Sequence, residues 1–183
     1  MNRSVIRLLL IGAISALLAA CAAPTQIATN KATSYTKEPR RIFVLTNVGS
    51  EFGSAFNASF QQRLKAIAMD CGAEMQIAVR SALELDEGIY TKMINAYRPD
   101  SVLTVHWTGG GTKQNGILIL AIYDVRLIDK SAGAVVWRAN TTFSRGSPLI
   151  SLADRGEAFA IDLTNKMKAD QILRSCQPIK PKT

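Results

Sequence analysis

Between Ser101 and Phe143 three stretches of strand pattern follow one another with no room for a helix between them. The first, SVLTVHW, sets Leu103, Val105 and Trp107 against Thr104 and His106. GILILAIYDVRLID is apolar on both sides at its start and then sets Tyr123, Val125 and Leu127 against Asp124 and Arg126. AVVWRANTTF sets Val135, Trp137, Ala139 and Phe143 against Arg138, Asn140 and Thr142. This period of two is that of strands with one face buried. The connections TGGGTKQN and DKSAGA are turn-rich and short, which predicts antiparallel hairpins.

Upstream the period changes. RIFVLTNV, from Arg41, is a continuous apolar run expected of a strand covered on both faces. In SEFGSAFNASFQQRLKAIAMDCG, Phe56, Phe60, Leu64, Ile67 and Cys71 recur at helical spacing, with Ser54 or Ser50 placed to cap the start and Gly72 the end. AEMQIAVR predicts a second strand. A helix from about Asp86 to Tyr97 stops before Pro99. A last helix, about Ser151 to Leu173, aligns Leu152, Phe159, Leu163 and Met167 behind the capping pair Ser151 and Asp154. The order β-α-β-α-β-β-β-α predicts an α/β (α+β) fold: one mixed sheet of about five strands with about three helices packed on it in two or three layers. At 183 residues, 48% of them hydrophobic, the chain is expected to form a single domain over residues 40–177 with a tail over 178–183.

The first twenty residues pattern as an export signal, with Arg3 and Arg7 ahead of the apolar run Leu8 to Leu18 and small residues before Cys21. Such a run is too short for a permanent membrane span. Leu18-Ala19-Ala20-Cys21 resembles the lipobox of bacterial lipoproteins. That resemblance implies removal of residues 1–20 as a signal peptide, a diacylglyceryl group on the Cys21 sulfur, and acylation of the new amino terminus. Several acyl chains anchor a protein firmly where one is marginal. The residue after the cysteine is Ala22 and not the aspartate that favours inner-membrane retention, which implies the outer membrane, facing the periplasm. Residues 21–39, rich in Ala, Thr and Pro, are expected to form a flexible tether of roughly 25 Å.

Net charge is +8 and falls to +6 without Arg3 and Arg7. Much of the excess lies at the ends, in Lys31, Lys37, Arg40 and Arg41 and in Lys180 and Lys182. Without interleaved aromatics, and in an exported chain, this excludes nucleic acid as the expected partner and fits weak attraction to anionic headgroups or simple solubility.

Of the other two cysteines, Cys71 closes the first helix and Cys176 follows the last. If successive elements alternate in direction, both reach the same edge of the domain. A Cys71–Cys176 disulfide is then possible in an oxidising periplasm, worth roughly 4 to 5 kcal/mol in the chain-entropy model. The alternative is that Cys71 is a small buried hydrophobe.

His106 is the single histidine, so no histidine-based metal cluster can form and no metal site or cofactor beyond the covalent lipid is expected. No strained nucleophile elbow is present. Gly109, Gly110, Gly111 and Lys113 offer bare amides beside a cation but lack the phosphate-loop frame; they are expected to form a hairpin loop available for partner contact. Glu84, Asp86 and Glu87 fit charge at a helix start better than paired acid and base work. The hairpin YDVRLIDKSAGAVVWRA, Tyr123 to Ala139, resembles that of a group of periplasmic domains that includes LpoB, the periplasmic part of CsgG and the amino-terminal domain of TolB. This likeness implies a compact module that docks on an envelope protein and is not an enzyme. The expected function is therefore a non-catalytic, lipid-anchored accessory of a transport, secretion or cell-wall complex. The alternative is a periplasmic enzyme or small-ligand carrier using the sheet face around His106, with Tyr123 and Arg138.

Overall fold

The computed structural model describes residues 25–49, 52–81, 83–86, 88–112, 118–144 and 150–176. The elements run β1 (Gln26–Lys31), β2 (Arg41–Asn47), α1 (Gly53–Asp70), β3 (Glu74–Val79), α2 (Gly88–Tyr97), β4 (Ser101–Thr112), β5 (Leu118–Asp129), β6 (Ala134–Ser144) and α3 (Leu152–Ala169). They build one mixed sheet in the order β1-β6-β5-β4-β2-β3, in which β2 is parallel to β3 and β4 and the other pairings are antiparallel.

β2 occupies the interior of the sheet, and its consecutive residues Ile42, Phe43 and Val44 are all fully buried. Consecutive burial requires cover on both faces, as its unbroken apolar run demands. On one face α1 lays down Phe56, Phe60, Leu64 and Ile67, and α3 lays down Phe159, Leu163 and Met167. The two helices cross so closely that a Cβ on Gly156 would stand 2.3 Å from the Phe56 carbonyl oxygen. On the other face α2 packs Met93, Ile94 and Tyr97 over Phe43, Ala78 and Val102. The result is three layers, helices on both sides of a sheet.

Helix ends follow local chemistry with one exception. α1 ends at Gly72, whose φ of +69° lets the Ala73 and Gly72 amides return to the Ala68 and Met69 carbonyls. α3 has Ala169 as its last residue, four before the expected boundary at Leu173, and Gln171 (φ +59°) turns the chain away in the same manner. Its start is the expected one: Ser151 Oγ accepts the Asp154 amide at 3.1 Å. The start of α1 is not. Phe52 holds the cap position with no side-chain capping bond, Ser54 lies within the helix, and Ser50 falls outside the described residues. The Phe52 ring is buried and stacks on Phe56 at 4.8 Å, so apolar burial fixes this turn where a hydroxyl was expected to.

Three further expectations need correction. Part of the segment read as a tether is β1, a sixth strand that pairs with β6 from Gln26 opposite Thr142 to Lys31 opposite Trp137. Only Ile27 in QIATNK is strongly apolar, so main-chain pairing holds this strand and the side-chain pattern hides it. Gly109, Gly110 and Gly111 do not form a loop; they extend β4 beyond a bulge after Trp107 and pair with Ile122, Ala121 and Leu120. Lys113 lies outside the described residues. Finally, Val135 faces outward at 46% exposure while Val136 is buried, because a register shift between Leu127 and Ile128 displaces the start of β6.

Cys71, at the carboxyl cap of α1, and Cys176, beyond α3, are joined in a disulfide across 105 residues. Both helices therefore bring their carboxyl ends to one edge of the domain.

Candidate functional site

α2 covers only part of its face of the sheet. Beside it, the residues of β4, β5, β6 and β1 that point the same way form an open polar surface. His106, Asp124, Asn140 and Ala28 stand in one register row, and Thr104, Arg126, Arg138 and Asn30 in the next. The row of Arg126 and Arg138 sets two guanidinium groups directly opposite each other, an arrangement that repels unless an anion intervenes. Asp124 supplies it: Arg126 Nε donates to Oδ2 at 2.6 Å, and Arg138 Nε donates to Oδ1 at 2.7 Å. Its side chain is only 10% exposed, whereas those of Arg126 and Arg138 are 46% and 59% exposed. Burial works against the charge on Asp124, yet the hydrogen bonds from Arg138 and Arg126 outweigh it and hold the carboxyl below its ordinary range.

Next to this network lies a shallow hollow of about 220 Å³ bordered by Asn47, Arg80, Thr104, His106, Asp124 and Arg126. His106 is exposed at its rim. Tyr123, expected beside His106, faces the opposite way: it is fully buried, its ring stacks on Phe159 at 4.7 Å, and its hydroxyl donates to the Val48 carbonyl at 3.0 Å. Only Arg138 of the expected trio shares the face of His106. Glu84 and Asp86 do not converge on it either; Asp86 accepts the Gly88 amide at 2.9 Å at the start of α2, and Glu87 lies outside the described residues. Among the described residues no three His, Cys, Asp or Glu side chains gather to hold a metal ion.

The Asp124 network was missed by sequence reasoning, although Asp124 and Arg126 were assigned to one face. What placed Arg138 against them was the register of β5 on β6, which a bulge shifts. Cys21 lies outside the described residues. The nearest described residue, Thr25, is fixed by its hydroxyl, which donates to Asp162 Oδ2 at 2.5 Å; burial raises the Asp162 carboxyl above its ordinary range despite that bond.

No helix among the described residues is long and apolar enough to cross a membrane. No family model matches the chain, and no curated protein is similar to it. Solved structures with a similar arrangement include the PelC dodecamer from Paraburkholderia phytofirmans, at 18% identity and a TM-score of 0.49 over 84% of this chain and 99% of that one. Lipoprotein GNA1162 from Neisseria meningitidis matches at 18% identity and a TM-score of 0.42 over 72% of this chain and 99% of that one. Protein XCC0632 from Xanthomonas campestris matches at 8% identity and a TM-score of 0.43 over 80% and 94%. Likenesses of this degree assign neither a family nor a function.

Proposed function

We propose that the chain is a non-catalytic, lipid-anchored protein of the outer membrane, facing the periplasm, that serves as a binding or accessory component of an envelope complex. The observation that carries this reading is the position of Cys21, directly behind an apolar run that follows two arginines, with Ala22 after it and the first strand starting at Gln26. A disulfide between Cys71 and Cys176 supports an oxidising compartment. The exposed setting of His106, with Tyr123 on the opposite face, speaks against the alternative of an enzyme or small-ligand carrier at that histidine.

The test is chemical. Mass spectrometry of the protein purified from its own membranes is expected to find an amino-terminal Cys21 carrying diacylglycerol and an acyl chain. Cys21→Ser is expected to move the protein out of the membrane fraction and abolish its cellular function while thermal unfolding stays unchanged. A Cys21→Ser chain that restored function in full would overturn the reading.

A further inference from the structure

We infer that the open face of β4, β5, β6 and β1 lies against the membrane, and that Arg126 and Arg138 bind phosphates of anionic phospholipids in the leaflet that holds Cys21. The inference takes its proximity to the membrane from the anchoring reading above.

Reach comes first. Four Cα steps separate Thr25 from Cys21, at most about 14 Å of extended chain. Thr25 is pinned to α3 through Asp162, and β1 begins one residue later. β1 is also the rim of the open face, with Ala28 in register with Asn140 and Asn30 with Arg138. The face thus starts where the anchor leaves the domain.

Charge then selects between the two faces that meet at β1. On α1 and α3 with its cap, Asp70, Asp154, Glu157, Asp162 and Asp170 balance Arg63, Lys65, Arg155, Lys166 and Lys168, so that face has no net preference for an anionic surface. On the open face a single buried carboxylate is shared by two exposed guanidinium groups. Arg138 spends only its Nε on Asp124. Its forked Nη donors match two oxygens of a phosphate.

The experiment uses the mature chain from residue 21 with Cys21→Ser, which retains every described residue and removes the lipid as a cause of binding. It is sedimented with vesicles of phosphatidylcholine alone or with phosphatidylglycerol added. Binding is expected only with phosphatidylglycerol and should weaken as salt rises. Arg126→Gln with Arg138→Gln should lower the affinity by about twenty-five-fold, from about fivefold for each cation near an anionic surface. Lys65→Gln with Lys168→Gln, the same charge change on the helices of the other face, should leave it within about twofold. Because the double arginine variant strands Asp124, a triple variant that adds Asp124→Asn keeps the test valid if the double one unfolds. Equal losses in the arginine and lysine variants, or no binding to phosphatidylglycerol vesicles, would overturn the proposal. So would preferential binding of polygalacturonate over those vesicles. Absence of lipid on Cys21 by mass spectrometry would sink the anchoring reading separately.

Discussion

Asp124 is nearly buried, a position that disfavours its charge, and two arginines reverse that preference. A carboxyl held below its unfolded value contributes stability that is present above that value and lost as pH falls through the folded one. The network therefore stabilises the domain at neutral pH and gives way below about pH 4. Asp124→Asn is expected to cost about 1 kcal/mol at pH 7, a modest figure because both partners are half exposed, and to flatten the acid side of the profile. Urea midpoints at pH 7 and pH 3 check this; identical neutral midpoints for variant and wild type would show that the network contributes nothing. At this scale the sequence was informative in proportion to side-chain size and hydropathy. Phe56, Phe60, Leu64 and Ile67 were readable because burying large apolar groups is what spaces them. The Arg126 and Arg138 pair was not, because strand register is a relation between distant residues.

At the scale of elements, the crossing of α1 and α3 depends on a residue with no side chain. Alanine is the better helix former by about 1 kcal/mol, yet at position 156 its methyl would collide with the backbone of α1 at Phe56 and Phe60. Gly156→Ala is expected to cost about 2 kcal/mol or more on balance and to lower the thermal midpoint by several degrees, read by circular dichroism. A variant as stable as the wild type would mean that the helices separate freely. Glycine and polar residues also explain which elements escaped the sequence reading. Gly109 to Gly111 carry turn signals, but pairing with β5 keeps them extended. β1 carries almost no apolar signal because its contribution is a row of main-chain bonds to β6. The element order from β2 onward, by contrast, was legible from the switch between periods of about 3.6 and two.

For the molecule as a whole, two helices seal one face of the sheet, one helix seals part of the other, and the remainder stays polar. The disulfide ties the sealed layer at its edge. Replacing Cys71 and Cys176 with alanine is expected to lower unfolding free energy by up to about 5 kcal/mol, and reducing agent should shift the wild-type urea midpoint but not that of the variant. A wild type indifferent to reducing agent would show that the bond adds no stability.

The bond has a topological consequence as well. The covalent ring from Cys71 to Cys176 contains β3, β4, β5 and β6, but β2 lies outside it in sequence and between β3 and β4 in space. Without β2 the ring would enclose a sheet with a gap two strand spacings wide, roughly 10 Å. The ring is therefore not a self-sufficient folding unit: an amino-terminal strand from beyond its closure acts as the wedge that joins its two halves. A fragment beginning at Cys71 would keep every covalent link of the ring and still lack the centre of its own sheet.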